Sequence, residues 1–363
     1  MDRMREGETQ KIRLGVSACL LGQTVRYDGG HKRDPFLTDT LGHFVEWVPV
    51  CPEVEIGLGV PRDTIRLVGG AAAPRLLVEK SGEDLTARMR RYARARVTEL
   101  ESLDLHGYIL KRGSPSCGLF RVRVYDGEGV PHANGTGAYA RALTERLPLL
   151  PVEEEGRLGD PGIRENFIER VFATARWRDF LARRPGAGDL VAFHTAQKLA
   201  VLAHSTTHYA SLGRLVAAAG GARLRTRLGE YGSLLMQALS VRATRARHTN
   251  VLQHMAGFFK RRLDHDARAE LADVIQDYRR GLVPLVVPLM LIKHHVRRLG
   301  VAYLANQTYL SPHPRADAQK SRVGDRPCPA LTTRFSPASP CSISRACWPA
   351  RTARGCCRTS ARA

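Results

Sequence analysis

No uninterrupted apolar run in this 363-residue chain approaches the roughly 18 to 20 residues that a membrane-spanning helix needs. The first ten residues, MDRMREGETQ, are charged and lack the apolar stretch of a secretory signal. Eight cysteines are present but form no CxxC pair, and histidine is absent beyond His313. The spacing of zinc fingers and ribbons is therefore missing. These absences lead us to expect a soluble, cytoplasmic protein, in which structural disulfides are disfavoured. At 43% hydrophobic content the chain can bury real cores, and its length favours two or three domains over one.

Negative charge is in short supply, with 35 acidic residues against 56 basic ones and a net charge of +21. The imbalance is uneven: residues 1–150 carry +3, residues 151–314 carry +10, and residues 315–363 carry +8. A basic middle segment suits a polyanionic partner, although Arg-rich surfaces also arise from GC-rich genes without any such role.

Composition shifts abruptly after Pro314. The stretch from Arg315 onward is dense in Arg, Ala, Ser, Pro and Cys, without apolar periodicity at either 3.6 or 2. Five cysteines fall there (Cys328, Cys341, Cys347, Cys356, Cys357). This segment reads as a disordered tail whose mixture matches a GC-rich gene translated out of frame.

Residues 1–150 alternate strand-like and helix-like stretches. The apolar runs at 12–18, 44–50 and 106–112 are short and bounded by Gly, Pro or Ser, as buried parallel strands usually are. Between the last two, residues 83–103 place Leu85, Met89, Tyr92, Val97, Leu100 and Leu103 at helical spacing, which predicts one crossover helix. A strand and turn follow at 121–129, and a helix at 136–147. The pattern predicts an α/β N-terminal domain with an open, mostly parallel sheet.

Past the acidic patch 153–155 and the loop LGDPG, helical periodicity takes over. Six helices are expected, at 164–182, 192–219, 223–246, 248–263, 267–278 and 284–299, which together describe an all-α helical domain. The expected organisation is a flexible N-terminus at 1–10, an α/β domain at 11–152, a helical domain at 160–314 and the tail at 315–363.

Three cysteines remain outside the tail, each in a turn-rich segment behind an apolar run: SACLLG around Cys19, PVCPE around Cys51 and SPSCG around Cys117. Each can sit at the C-terminal edge of a parallel sheet, where open α/β folds collect ligands. A free cysteine is most often a small buried hydrophobe. A catalytic thiol needs only one of the three. Zinc wants a fourth protein ligand, or a water in a catalytic site. An iron-sulfur cluster on three thiolates leaves one iron open and uses every residue.

The segments SACLLGQTVRYDGGHK (17–32), VPVCPEVEIGLGVPR (48–62) and ILKRGSPSCG (109–118) together resemble the DUF523 family, which includes thiouracil desulfidases. The second half resembles DUF1722 through FHTAQKLAVLAHS (193–205), HTNVLQHMAGFFK (248–260), GLVPLVVPLMLIKHHVRR (281–298) and NQTYLSPHP (306–314). Fused proteins of this type resemble bacterial desulfidases acting on 4-thiouridine in transfer RNA. The resemblance implies a [4Fe-4S] cluster held by Cys19, Cys51 and Cys117, whose open iron captures the thiocarbonyl sulfur while water replaces it, without net redox change. It implies a tRNA or thiolated nucleotide as partner, and Glu53 and Ser114 as candidates to move protons. Free thiouracil as substrate, and a non-catalytic nucleic-acid-binding protein with a structural metal, stay open beside it. Two positions depart from the pattern: Gln197 stands where the family often has His, and Thr206 where Pro is usual.

Each candidate also has a plainer reading. Glu53 can cap a helix behind Pro52, Ser114 and Ser116 can serve only the turn around Pro115, and Asp28 in RYDGG can be a turn residue. Asp28, Ser116, Lys198 and Lys260 are further substrate-binding candidates, the lysines as part of a basic helical face. His204 and His208 are spaced to share one helix face, which permits a metal pair, though core or solvated histidines suit the helical domain equally.

Overall fold

The computed structural model describes residues 12–220 and 223–312. The tail expected to be disordered and the flexible N-terminus lie outside the described residues. Strands β1 (Ile12–Ser17), β2 (Val45–Val50), β3 (Ile65–Val68), β4 (Arg75–Val78), β5 (Gly107–Leu110), β6 (Val122–Tyr125), β7 (Pro131–Gly135) and β8 (Val152–Glu154) alternate with three helices. These helices are α1 (Pro52–Glu55), α2 (Thr86–Ser102) and α3 (Ala138–Arg146).

One sheet runs β2-β1-β5-β8 and is parallel throughout. The chain leaves β1 toward β2 on one side and later returns to pair β5 on the other. β1 is therefore the point where strand order reverses, and a crevice opens above the C-terminal ends of its neighbours. The strand is buried along nearly its whole length, and its packing is tight: a Cβ on Gly15 would fall 2.2 Å from the Tyr108 ring. The second sheet, β4-β3-β6-β7, mixes one parallel and two antiparallel pairings.

The helix expected at 83–103 is α2, which buries Met89, Ala93, Val97 and Leu100 at helical spacing. It packs with Tyr139, Ala140 and Leu143 of α3 against Val50, Tyr108 and Leu110. Of the second sheet the sequence reading found β6, the strand expected at 121–129, and missed β3 and β4, which hold four residues each and leave little room for a period to show, as well as β7. It also missed β8, whose acidic residues read as a linker. Glu153 and Glu154 are in fact buried, because their carboxylates bond to the loops beside them.

The rest of the described chain is helical: α4 (Pro161–Ala182), α5 (Ala187–His204), α6 (Thr206–Ala217), α7 (Leu224–Ser240), α8 (Arg245–Gly257), α9 (His265–Arg280), α10 (Val286–Leu299) and α11 (Ala302–Ala305). Asp160 caps α4 by accepting from Ile163 N at 2.9 Å, with Pro161 in the first turn. Phe167, Val171 and Ala175 of α4 pack on Ile12, Leu14 and Val16, covering the face of the parallel sheet opposite α2 and α3. Helix α5 lies between two further cores, giving Leu190 and Val201 to one and Leu199, Ala200 and Ala203 to the other. None of the described helices is long and apolar enough to cross a membrane.

One helix expectation needs correction. Residues 192–219 form two helices, broken at Ser205, whose backbone is extended (φ −156°, ψ 115°) and whose hydroxyl caps α6 by accepting from His208 N. His204 and His208 therefore do not share a helix face. His204 is buried and bonded to Glu169 at 3.0 Å, while His208 Nδ1 pairs with Ser205 Oγ at 2.8 Å.

Candidate active site

The three cysteines occupy three successive strand ends at the crevice. Cys19 lies in the single 3-10 turn Ala18–Leu21 behind β1, closed by Gly22 at φ 91°. Its carbonyl accepts from Lys32 N at 2.9 Å, which folds the 22–32 loop back over it. Cys51 follows β2 and begins α1, with Pro52 in the first helical turn. Its sulfur lies 3.7 Å from Val25 O of the Cys19 loop. Cys117 follows β5 in the SPSC turn, where its amide donates to Ser114 Oγ at 3.1 Å.

All three are free thiols; Cys19 and Cys117 are buried and Cys51 is half-buried. Burial pushes the Cys19 thiol up to about 11, and proximity to Cys51 adds to the rise. Burial likewise raises Cys51 and Cys117, and the Cys117 thiol also feels Glu53 and both other cysteines. Negative charge on either of the other sulfurs disfavours the Cys117 thiolate further. Left to themselves these thiols stay protonated; as thiolates, three such sulfurs are the donor chemistry an iron-sulfur cluster takes. Among the described residues, no three His, Cys, Asp or Glu side chains group as they would around one metal ion.

Glu53 does not cap its helix. Glu55 does so instead, its Oε1 accepting from Cys51 N at 3.0 Å. This leaves Glu53 free to turn into the crevice, where its Oε1 accepts from Ser116 Oγ at 2.5 Å and Ser114 Oγ at 3.3 Å. The two hydroxyls lie 2.9 Å apart, and Ser114 Oγ also accepts from Ser116 N and Cys117 N. One carboxylate oxygen and two hydroxyls therefore meet beside Cys117, joining the Cys51 and Cys117 loops. A carboxylate and two hydroxyls joined by hydrogen bonds beside three thiols have the chemistry to take up and pass on a proton.

Asp28 is a turn residue. It accepts from Gly30 N at 3.0 Å, and the Arg26 side chain beside it holds its exposed carboxyl below the usual range. Its loop nevertheless borders the site, since Val25 and Tyr27 carbonyls contact the cysteine region through Cys51 and Arg62. Lys198 and Lys260 belong elsewhere: Lys198 sits on α5 beside His194, and exposed Lys260 lies just past α8. Arg262, past α8, donates to Leu299 O at 3.4 Å and ties that basic stretch to the end of α10.

Several residues escaped the sequence reading. Arg62, inside the quoted VPR stretch, binds Glu53. Buried Ser17 accepts from Lys111 N at 2.9 Å, and Lys111 Nζ pairs with Glu155 beyond β8. Glu154 Oε1 accepts from Leu119 N at 2.8 Å and Phe120 N at 3.1 Å, fastening the chain just after Cys117. The signal for Glu154 and Glu155 was an acidic run in a basic protein, legible only once its partners are known.

Residues 14–155 match the family model described as 2-thiouracil desulfurase. Residues 198–314 match the model for a protein of unknown function, DUF1722. The uncharacterized protein YbgA of Escherichia coli (strain K12) is 39% identical over 152 residues, spanning 42% of this chain and 90% of that one. The uncharacterized protein YbbK of Bacillus subtilis (strain 168) is 32% identical over 142 residues, spanning 36% of this chain and 93% of that one. A solved structure of the [4Fe-4S]-dependent thiouracil desulfidase TudS shares 38% identity, covering 41% of this chain and 94% of its own, with a TM-score of 0.34.

Proposed function

Since the chain belongs to the 2-thiouracil desulfurase family and carries a DUF1722 region behind it, we propose that it removes sulfur from a thiolated uracil, with 4-thiouridine in tRNA as substrate. Residues 11–152 act as the desulfidase domain and residues 160–314 as the helical domain. The observation that carries this reading is the meeting of three free thiols with Glu53, Ser114 and Ser116 at the reversal point of the parallel sheet. Cys19, Cys51 and Cys117 would hold a [4Fe-4S] cluster. Bound there, it supplies an iron with an open position, a Lewis acid suited to the sulfur of a C=S bond.

Exchange of sulfur for oxygen consumes one water and releases sulfide, so protons must move but no electrons are required. Glu53 Oε1, which accepts from Ser114 and Ser116, takes the proton from the attacking water in this reading. Ser116 Oγ, in contact with that oxygen, holds the carboxylate toward Cys117 and can pass the proton onward. Ser114 orients Ser116 and closes the turn that presents Cys117. The buried setting of Cys19 and Cys117 keeps bulk water off the reacting sulfur.

The choice of RNA over a free base rests on charge: residues 151–314 carry +10, which a small base has no need of. The test is anaerobic purification, quantification of iron and sulfide, and assay of sulfide release from tRNA containing 4-thiouridine and from free thiouracil. About four irons per chain are expected, with turnover lost in Cys117→Ala while the fold persists. Zinc in place of iron, or collapse of the Cys117→Ala protein, would support a structural metal instead. Turnover of the free base alone would reassign the substrate.

A further inference from the structure

Arg62 touches none of the three cysteines as a ligand, yet it ties together the segments around one of them. Its side chain is only 5% exposed. Nε and Nη2 both donate to Glu53 Oε2, at 3.1 and 2.6 Å. Nη1 donates to Gly59 O at 2.9 Å, and Nη2 also reaches Val25 O at 3.0 Å. Its backbone amide donates to Tyr27 O at 2.9 Å. One guanidinium therefore spans the turn after α1, the 22–30 loop and the Glu53 carboxylate, and Val25 O is also the oxygen beside the Cys51 sulfur.

The two oxygens of Glu53 have been given different work. Arg62 occupies Oε2 with both arms of its fork, while Oε1 receives the Ser114 and Ser116 hydroxyls. A carboxylate gripped this way cannot rotate about its last bond without breaking the fork, and a planar fork is a geometry lysine cannot reproduce.

We propose that Arg62 is the positioning residue of the site: it fixes Glu53 so that Oε1 alone faces the Cys117 loop, and it locks the 22–30 loop over Cys51 in the same act. This rests on the desulfidase reading of the site. Arg62 makes no contact with the reacting atoms and acts wholly through Glu53 and the loop carbonyls. Loss of the fork frees the carboxylate to turn away, and displacement of a reacting group by about 1 Å is enough to cost on the order of a hundredfold in rate.

Two measurements test it. In the cluster-loaded protein, Arg62→Lys keeps the charge and loses the fork. It should lower kcat by roughly tenfold to a hundredfold and leave KM within about twofold, with iron per chain unchanged. Added guanidinium should restore part of the turnover of Arg62→Ala. Unchanged kcat, or a loss of turnover that merely follows loss of iron, overturns the proposal. The second measurement needs no turnover. A double-mutant cycle of Arg62→Ala and Glu53→Ala, read as thermal stability of the cluster-loaded protein, should show strong coupling, with the double variant more stable than the sum of the single effects predicts. Additive effects in that cycle overturn the clamp. A protein that couples the two residues but releases no sulfide from any thiolated uracil leaves the clamp standing and overturns the functional reading instead.

Discussion

Ser116 Oγ and Glu53 Oε1 lie 2.5 Å apart, although 63 residues separate them in the chain. The contact joins the loop behind β2 to the loop behind β5, and the two serines of the SPSC turn differ in what else they hold. Ser116 Oγ bonds to Glu53 and Ser114, whereas Ser114 Oγ also satisfies two backbone amides. Ser116→Ala should therefore lower sulfide release by roughly a hundredfold with iron content intact. Ser114→Ala should in addition destabilise the protein by about 1 to 3 kcal/mol, because it leaves those amides without their acceptor. Turnover, iron per chain and thermal melts on the two variants check this; equal behaviour of the pair would count against the division of roles.

Gly15 sits in the middle of β1 with the Tyr108 ring where a side chain would be, 2.2 Å from an added Cβ. Tyr108 is fully buried and shares its core with Tyr139, so it has little freedom to step aside. Gly15→Ala is expected to cost about 1 to 3 kcal/mol by overpacking, seen as a fall of several degrees in Tm. An unchanged Tm would mean that the sheet core is looser than its packing indicates.

Stability should fall on both sides of neutral pH, for opposite reasons. Buried His106 and His194 have pKa values pushed down to about 4, by burial first and then by Arg178 and Lys198 respectively. Their neutral forms belong to the fold, so stability is full above 6.5 and declines as pH falls from there toward 4, at roughly 1.4 kcal/mol per pKa unit for each group. For His204 burial alone would lower the pKa, but the hydrogen bond to Glu169 and the Val241 carbonyl raise it above 6.5. Its contribution is complete below 6.5 and is lost as pH rises through the raised value. Thermal melts between pH 4 and 9 should show both limbs, with the alkaline one flattened in His204→Gln.

The break between α5 and α6 offers a pair of opposed substitutions. Ser205→Ala removes the cap and should cost about 1 kcal/mol. Thr206→Pro should be tolerated or should stabilise by roughly 0.4 to 1 kcal/mol, since the first helical position needs no amide donor and Ser205 already has the extended backbone that a following proline demands. A large loss in Thr206→Pro would show that the Thr206 amide or side chain is needed after all.

What the sequence made legible follows from physical scale. β1, β2, β5 and α2 carry strong apolar patterns of their own, and the sheet they build brings the three cysteine loops together. β3, β4 and β7 have no comparable pattern: β3 and β4 are four-residue strands that bury Leu67, Leu76 and Val78 in a core shared with β6, and β7 is exposed along most of its length. The helix break at Ser205 was hidden because apolar spacing runs through it; the available signal was Ser205 itself, a residue suited to cap a new helix. In the site, the cysteines and the two serines lie in recognisable turns. Arg62, Glu154 and Glu155 act through partners 9 to 44 residues away, and no local pattern announces such a contact.

The packing of α4 against β1 leaves no place for a hinge between the two halves of the described chain. Phe167, Val171 and Ala175 are the far wall of the sheet that carries Cys19, and β8, immediately before α4, holds the loop behind Cys117 through Glu154. A swing of the helices about residues 155–160 would have to strip that wall from the sheet and drag on the loop at the same time. The wall that α4 lays on the sheet and the tie that Glu154 makes to the Cys117 loop therefore hold the cysteine loops in a fixed frame, so that selection at the crevice comes from fit rather than from closure.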